Sequence, residues 1–256
     1  ATASVNGLFI TQFTVDTQPY AGKNIVGYGN ITQQSATSTV FSILANIIEF
    51  TPTIGTVGTV VAIKGTGFKN GTLIINIGDH MAVQSFSSPG YFETTMAIDD
   101  HPYGTTTVKA LNLGGTPNVQ KLFKILSKIY FVSPSLGTVG TVVTIRGNGY
   151  GFNEQIEVNF GTTQTVAATT ASGVGDSGHG GTWTTSFTVN KQQFGTTTIT
   201  GWGLTSNDSG TNIFMIKARM FGIAPASGTI GSWVTIYGDG YKAGEIIRVD
   251  FGSTQT

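Results

Sequence analysis

Three histidines, His80, His101 and His179, are the side chains best suited to proton transfer or metal ligation near neutral pH. Around His101 the run Asp99-Asp100-His101-Pro102 sets two carboxylates beside an imidazole, just before Gly104. A metal or a general base needs several convergent groups. The matching stretches elsewhere, 17–20 and 190–194, offer no second imidazole or acid pair, so 99–102 is expected to be an exposed turn. His179 sits in the loop Gly173–Gly181, where Asp176 and His179 could touch a metal but no further ligand converges, so a loop without a metal is expected. The acids are scattered, without the dense Asp-x-Asp-x-Asp spacing of a calcium loop. No Gly-x-Ser-x-Gly elbow accompanies an acid and a histidine. No catalytic residue, metal ligand or cofactor is therefore expected, and the chain reads as a non-enzyme. Three Asn-x-Ser/Thr sequons are candidate glycan acceptors: Asn30, Asn70 and Asn207. Asn30 and Asn207 follow Gly-Tyr-Gly and Gly-Trp-Gly and are expected in corresponding loops.

The elements that must carry these residues are built from an unusual composition. The 256 residues hold 13 basic and 13 acidic side chains, and charged residues make up 10%, against about 25% in an average domain. The polarity comes instead from 36 Gly and 41 Thr, and there is no Cys. A neutral chain lacks the basic face that phosphates require, which argues against a nucleic-acid partner. The longest apolar run, Val40 to Phe50, is broken by Ser42, Asn46 and Glu49 and cannot span a bilayer. Hydrophobic residues at 39% and aromatics at 11% suffice for packed cores. A Thr- and Gly-rich chain without Cys suits an extracellular or cell-surface protein that dispenses with disulfides.

Internal repetition is the dominant signal. FTPTIGTVGTVVAIKGTGF (50–68), VSPSLGTVGTVVTIRGNGY (132–150) and IAPASGTIGSWVTIYGDGY (223–241) align without gaps. Their prolines, Pro52, Pro134 and Pro225, lie 82 and 91 residues apart. A second signature runs from an aromatic to a glycine: Phe9 to Gly22, Phe92 to Gly104, Trp183 to Gly195. Each of these glycines precedes the next repeat proline by 30 residues. Period-two alternation in Ile156-Glu-Val-Asn-Phe160 and Ile247-Arg-Val-Asp-Phe251 marks strands with one buried face. Val61/Ile63, Val143/Ile145 and Val234/Ile236 form inward pairs in the opening strand, and Phe41/Ile43, Phe123/Ile125 and Phe214/Ile216 do so in the closing one. Short strands between frequent glycine turns predict an all-β sandwich. Gly65-Thr-Gly67 and Gly147-Asn-Gly149 are followed by no helical pattern and read as turns, not phosphate loops. Trp183, Trp202 and Trp233 are expected to be packing anchors rather than sugar platforms.

The motif Pro-x-x-Gly-x-x-Gly-Thr-x-Val-Thr-Ile-x-Gly-x-Gly-Phe/Tyr, then a strand ending in Phe-Gly, resembles the IPT/TIG family of immunoglobulin-like domains. The copy from Pro134 to Gly161 matches best; in the first, Ala62 replaces Thr and Ile77-Gly78 replaces Phe-Gly. The resemblance implies tandem Ig-like sandwiches. In prokaryotes such arrays are cell-surface, adhesive or fibrous; the receptor and transcription-factor uses in animals include DNA binding, which the neutral charge disfavours.

The order of the halves is unusual. Residues 51–133 and 134–224 each hold both signatures, whereas 1–50 hold only a second half and 225–256 only a first half. Counted through the termini, Pro225 lies 83 residues before Pro52, a normal repeat length. The expected architecture is three Ig-like sandwiches, one split across the termini. Ala1 and Thr256 then mark the continuity between neighbours, covalent or by strand complementation. A head-to-tail join of this kind builds an extracellular filament or surface array from copies of the chain. The alternative is a spacer or adhesion module of a larger adhesin or carbohydrate-active protein, meeting surface glycans or other cells.

Overall fold

The computed structural model describes residues 1–161, 165–173, 179–252 and 254–255. Every regular element among them is a strand, and no helix is long and apolar enough to cross a membrane. The chain divides into two compact units: Ala1–Thr53, Gly58–Ile98 and Thr105–Phe123 form one, and Ile54–Val57, Asp99–Gly104 and Lys124–Thr256 the other.

Val142–Asn148 lies between Lys128–Ser133 and Trp183–Thr188 in a three-stranded antiparallel sheet. A five-stranded sheet runs Leu136–Gly137, Ser209–Ile216, Gly195–Gly203, Gln155–Phe160 and Thr165–Thr170, with its first pair parallel. Period-two alternation sends Val143, Ile145 and Phe187 from one sheet, and Ile156, Val158, Phe160, Ile199 and Phe214 from the other, into one fully enclosed core. The preceding repeat has the same plan. Val60–Thr66 lies between Asn46–Thr51 and Phe92–Ala97, and Ile54–Thr56, Asn118–Leu126, Gly104–Asn112, Gly71–Ile77 and His80–Ser87 form its five-stranded sheet. These are immunoglobulin-like sandwiches.

The sheets begin earlier than the expected boundaries at 50/51, 133/134 and 224/225. Asn46–Thr51 pairs with Val60–Thr66, Lys128–Ser133 with Val142–Asn148, and Arg219–Ala224 with Thr235–Asp239. Each of these first strands thus belongs to the repeat that follows it. Its register shifts, at Ile47/Glu49, Ile129/Phe131 and Met220/Gly222. The extra residue of a bulge breaks the period-two pattern, which is why the strand was hidden in the sequence.

The terminal segments form partial sheets only. In the first, Gly22–Lys23 pairs with Phe41–Ser42, and Val26–Tyr28 with Ser35–Thr37. In the last, the Arg219–Ala224/Thr235–Asp239 pair is held by a two-pronged ion pair from Arg219 to Asp239, at 2.9 and 3.1 Å. The Asp239 carboxylate raises the Arg219 pKa, keeping the guanidinium charged.

Candidate functional site

The most distinctive chemistry of the molecule is apolar and lies on the two terminal segments. Val143, Ile145, Ile156 and Phe160 are fully buried in the intact repeat, yet their counterparts 91 residues on, Val234, Ile236, Ile247 and Phe251, are exposed, Phe251 by 76%. The second-signature residues behave alike. Trp183, Phe187 and Val189 are buried, whereas Phe9, Phe13 and Val15 are exposed, Phe13 by 62%. By repeat position these residues match the two inner faces of an intact sandwich, and here they are exposed.

Both faces carry the polar fittings of an intact repeat. In the complete copy the buried Glu154 carboxylate accepts the Gly151 N–H at 2.6 Å. It also accepts the Thr205 N–H at 2.9 Å and that of Ser206. Glu245, its counterpart, already accepts the Lys242 N–H at 3.1 Å. The turn that Glu154 holds is closed by Gly203 N–H to Asp208 O at 2.9 Å, Asn207 N–H to Gly203 O at 3.0 Å, and Asp208 N–H to Ser206 Oγ at 3.3 Å. The terminal segment repeats it: Gly29 N–H to Gln34 O at 2.8 Å, Gln33 N–H to Gly29 O at 2.8 Å, and Gln34 N–H to Thr32 Oγ1 at 3.4 Å. Gln33 and Asn207 take the same left-handed φ, 57° and 56°. Sequence reading missed this glutamate pair; their separation of 91 residues, the repeat spacing, was the available signal.

Tyr150 is the second fitting. Its hydroxyl donates to the Gly201 carbonyl at 3.0 Å and accepts from the Gly210 N–H at 3.0 Å. Burial raises its pKa well above the usual phenol value. The Trp183 ring packs edge-on to Tyr150 with centroids 5.5 Å apart, and covers Gly147 and Gly201. In the terminal segment the Phe9 ring edge lies 3.9 Å from where a Cβ on Gly27 would sit, an ordinary contact looser than that of Trp183 on Gly201.

The Asp99–His101 turn departs from expectation. His101 is buried, with 6% exposure, because the stretch packs against the start of the next repeat. The Tyr103 N–H donates to the Tyr150 carbonyl at 3.1 Å, and a Cβ on Gly181 would lie 3.1 Å from the Pro102 Cα. The same seam occurs in the first unit, where the Tyr20 N–H donates to the Phe68 carbonyl at 3.2 Å. Asp99 stands between two imidazoles, its carboxylate oxygens 2.5 Å from His101 Nδ1 and 3.0 Å from His179 Nε2. Asp176 lies outside the described residues. His80 opens the strand His80–Ser87, opposite Ile77.

All three sequon asparagines are exposed. Asn70 Oδ1 accepts the Gly90 N–H at 2.9 Å. Asn30 and Asn207 occupy the same type of turn but not the same place in it, since Gln33 is the equivalent of Asn207 and Asn30 that of Leu204. Of the tryptophans, Trp183 is a core anchor. Trp202 is partly exposed and Trp233 is 95% exposed. Trp233 corresponds to Val60 and Val142, which also face solvent in complete sandwiches, so this position points outward by design of the strand. Ala1 is exposed, and Thr256 lies outside the described residues.

No protein-family profile matches the chain, and no curated protein matches it. Solved structures similar to it include a biofilm-associated protein domain (BSP domain), at 13% identity and a TM-score of 0.24, covering 68% of this chain and 30% of that one. The titin Ig tandem domains A164-A165 are similar at 14% identity and a TM-score of 0.25, covering 68% of this chain and 95% of that one. The eight N-terminal Ig domains of the Down Syndrome Cell Adhesion Molecule are similar at 11% and 0.27, covering 80% and 33%. The chain thus spans less than a third of the biofilm-associated structure. By its own paired sheets and enclosed cores, it is an array of immunoglobulin-like sandwiches.

Proposed function

We propose that the chain is the structural subunit, or one period, of an extracellular filament or surface array. Its IPT/TIG-like sandwiches join head to tail, residues 219–256 of one copy closing onto residues 1–45 of the next. The carrying observation is the pair of exposed inner faces, Val234, Ile236, Ile247 and Phe251 on one and Phe9, Phe13 and Val15 on the other. Burying such a side chain is worth about 1.5–3 kcal/mol each, so completing the sandwich gains on the order of 10 kcal/mol before ordering costs. The repeat supports this occupant: residues 219–256 carry the half that residues 1–45 do not, and the reverse. A heterologous join of this kind does not close on itself and extends into a fibre. The near-neutral surface offers little charge repulsion to lateral packing. No catalytic role, nucleic-acid partner or cofactor enters this reading.

Electron microscopy and the mass of native material before and after boiling in SDS test the proposal. Subunits joined by complementation appear as filaments that fall to a band near 26.8 kDa on boiling. Material too large to enter the gel identifies a covalently continuous chain of which this is one period. A 26.8 kDa monomer before boiling, with no filaments, rules the proposal out. The variant Phe13→Asp, which charges the inner face, is expected to abolish assembly while the intact repeats stay folded by circular dichroism.

A further inference from the structure

The two intact repeats do more than suggest that the terminal halves meet; they fix how. Resting on the head-to-tail reading, we infer that the halves join in a single register, with Thr235 of one copy opposite Gln12 of the next and Glu245 holding the neighbour's Gly29–Gln34 turn.

The strand register follows from a pairing found twice. Val143 faces Phe187, Thr144 faces Ser186 and Gly147 faces Trp183; one repeat earlier, Val61 faces Met96, Ala62 faces Thr95 and Gly65 faces Phe92. In both repeats the aromatic ring seats on the glycine, where an added Cβ would lie 2.3 Å from a ring carbon. Trp183 corresponds to Phe9 by the shared spacing of Trp183/Phe187/Val189 and Phe9/Phe13/Val15, and the Phe9 ring edge lies in ordinary contact distance, 3.9 Å, of a Cβ on Gly27. Carrying the pairing across sets Val234 against Phe13, Thr235 against Gln12 and Gly238 beneath the Phe9 ring.

The latch is an independent observation. Glu245 already forms the local half of the Glu154 arrangement. Its own N–H donates to the Lys242 carbonyl at 3.3 Å, the distance Glu154 N–H keeps from the Gly151 carbonyl, and its carboxylate takes the Lys242 N–H. The remaining partners of Glu154 are the N–H groups of Thr205 and Ser206. Their equivalents are Ile31 and Thr32, in a turn that repeats the three closing hydrogen bonds of the Gly203–Asp208 turn. A carboxylate accepting two backbone N–H groups in a site that assembly dries is a strong contact, and an uncharged replacement weakens it.

Because the natural sequence has no Cys, engineered pairs report the register without background. Thr144 and Ser186 touch through their hydroxyls at 2.9 Å on the outward face, so their counterparts suit cross-linking. The full-length double variant Gln12→Cys/Thr235→Cys is oxidised and run on non-reducing SDS gels beside Thr14→Cys/Thr235→Cys, which reports a slip of two residues. A ladder of chain multiples from the first variant only is the expected result. A ladder from the second, or equal ladders from both, overturns the single register while leaving head-to-tail joining intact. Polymers in light scattering without a ladder from either do the same. Single chains in light scattering with no ladder overturn the joining itself. Glu245→Gln is expected to raise the concentration needed for assembly roughly tenfold or more; an unchanged threshold overturns the latch.

Discussion

Gly147 sits under the Trp183 ring, and an added Cβ there would lie 2.3 Å from the indole. Gly147→Ala therefore forces the ring out of its core position and is expected to cost about 1–3 kcal/mol in denaturant unfolding. Tyr150→Phe removes a hydroxyl that satisfies both the Gly201 carbonyl and the Gly210 N–H, and is expected to cost about 1–3 kcal/mol. The phenol also predicts a pH effect. Its folded pKa is raised above the ordinary value of 10.0, so above that pH the unfolded chain releases the proton while the folded chain keeps it. Stability is full below pH 10 and falls as pH rises from there towards the raised folded pKa. The alkaline slope of unfolding free energy is expected to be shallower in Tyr150→Phe, and an equal slope contradicts this assignment. Glu154→Ala strips three N–H groups of their acceptor and is expected to destabilise the repeat by about 2–5 kcal/mol.

Among the elements, the strand Thr235–Asp239 and the residues just before it show how two faces can be told apart. Val234 and Ile236 lie on the face that Val143 and Ile145 bury in the intact repeat, whereas Trp233 lies on the face that Val60 and Val142 turn to solvent. Trp233→Ser is thus expected to leave both stability and assembly within about 0.5 kcal/mol of the parent, while Val234→Asp blocks assembly; sedimentation of the two variants separates these outcomes. Much of this was legible in the sequence. Alternation located the strand Gln155–Phe160, whereas of 247–251 only Asp250–Phe251 is a strand. The long strand Asn118–Leu126 carries the closing inward pair Phe123 and Ile125 read from the aligned copies, and both are buried. What escaped were features that period and composition do not encode. Bulges concealed the first strand of each repeat. His101 reads as an exposed turn residue because its burial comes from the following repeat, a contact of long range in the chain. Trp233 reads as an anchor by its size, although its side of the strand decides its fate. The distant partners of Glu154 are backbone N–H groups about fifty residues away, which leave no trace in residue type, although the repeat spacing of Glu154 and Glu245 was legible.

For the whole molecule, the proposed assembly would be driven by apolar burial, and the net charge is zero. Association held by long-range charge attraction would weaken in salt, because the screening length falls to about 3 Å at 1 M. Assembly of this chain is expected to persist in 1 M sodium chloride, as followed by light scattering; dissolution there would point to an electrostatic joint instead. One seam recurs in both units: the Tyr20 N–H meets the Phe68 carbonyl, and the Tyr103 N–H meets the Tyr150 carbonyl. A joint between copies that merely completes another sandwich of the same kind resembles those inside a copy. Such a thread contains no ruler. If copies join as proposed, every free end is as receptive as the last, so finished length is a matter of supply and of whatever caps it, and a broken thread would expose the same two surfaces that built it and heal.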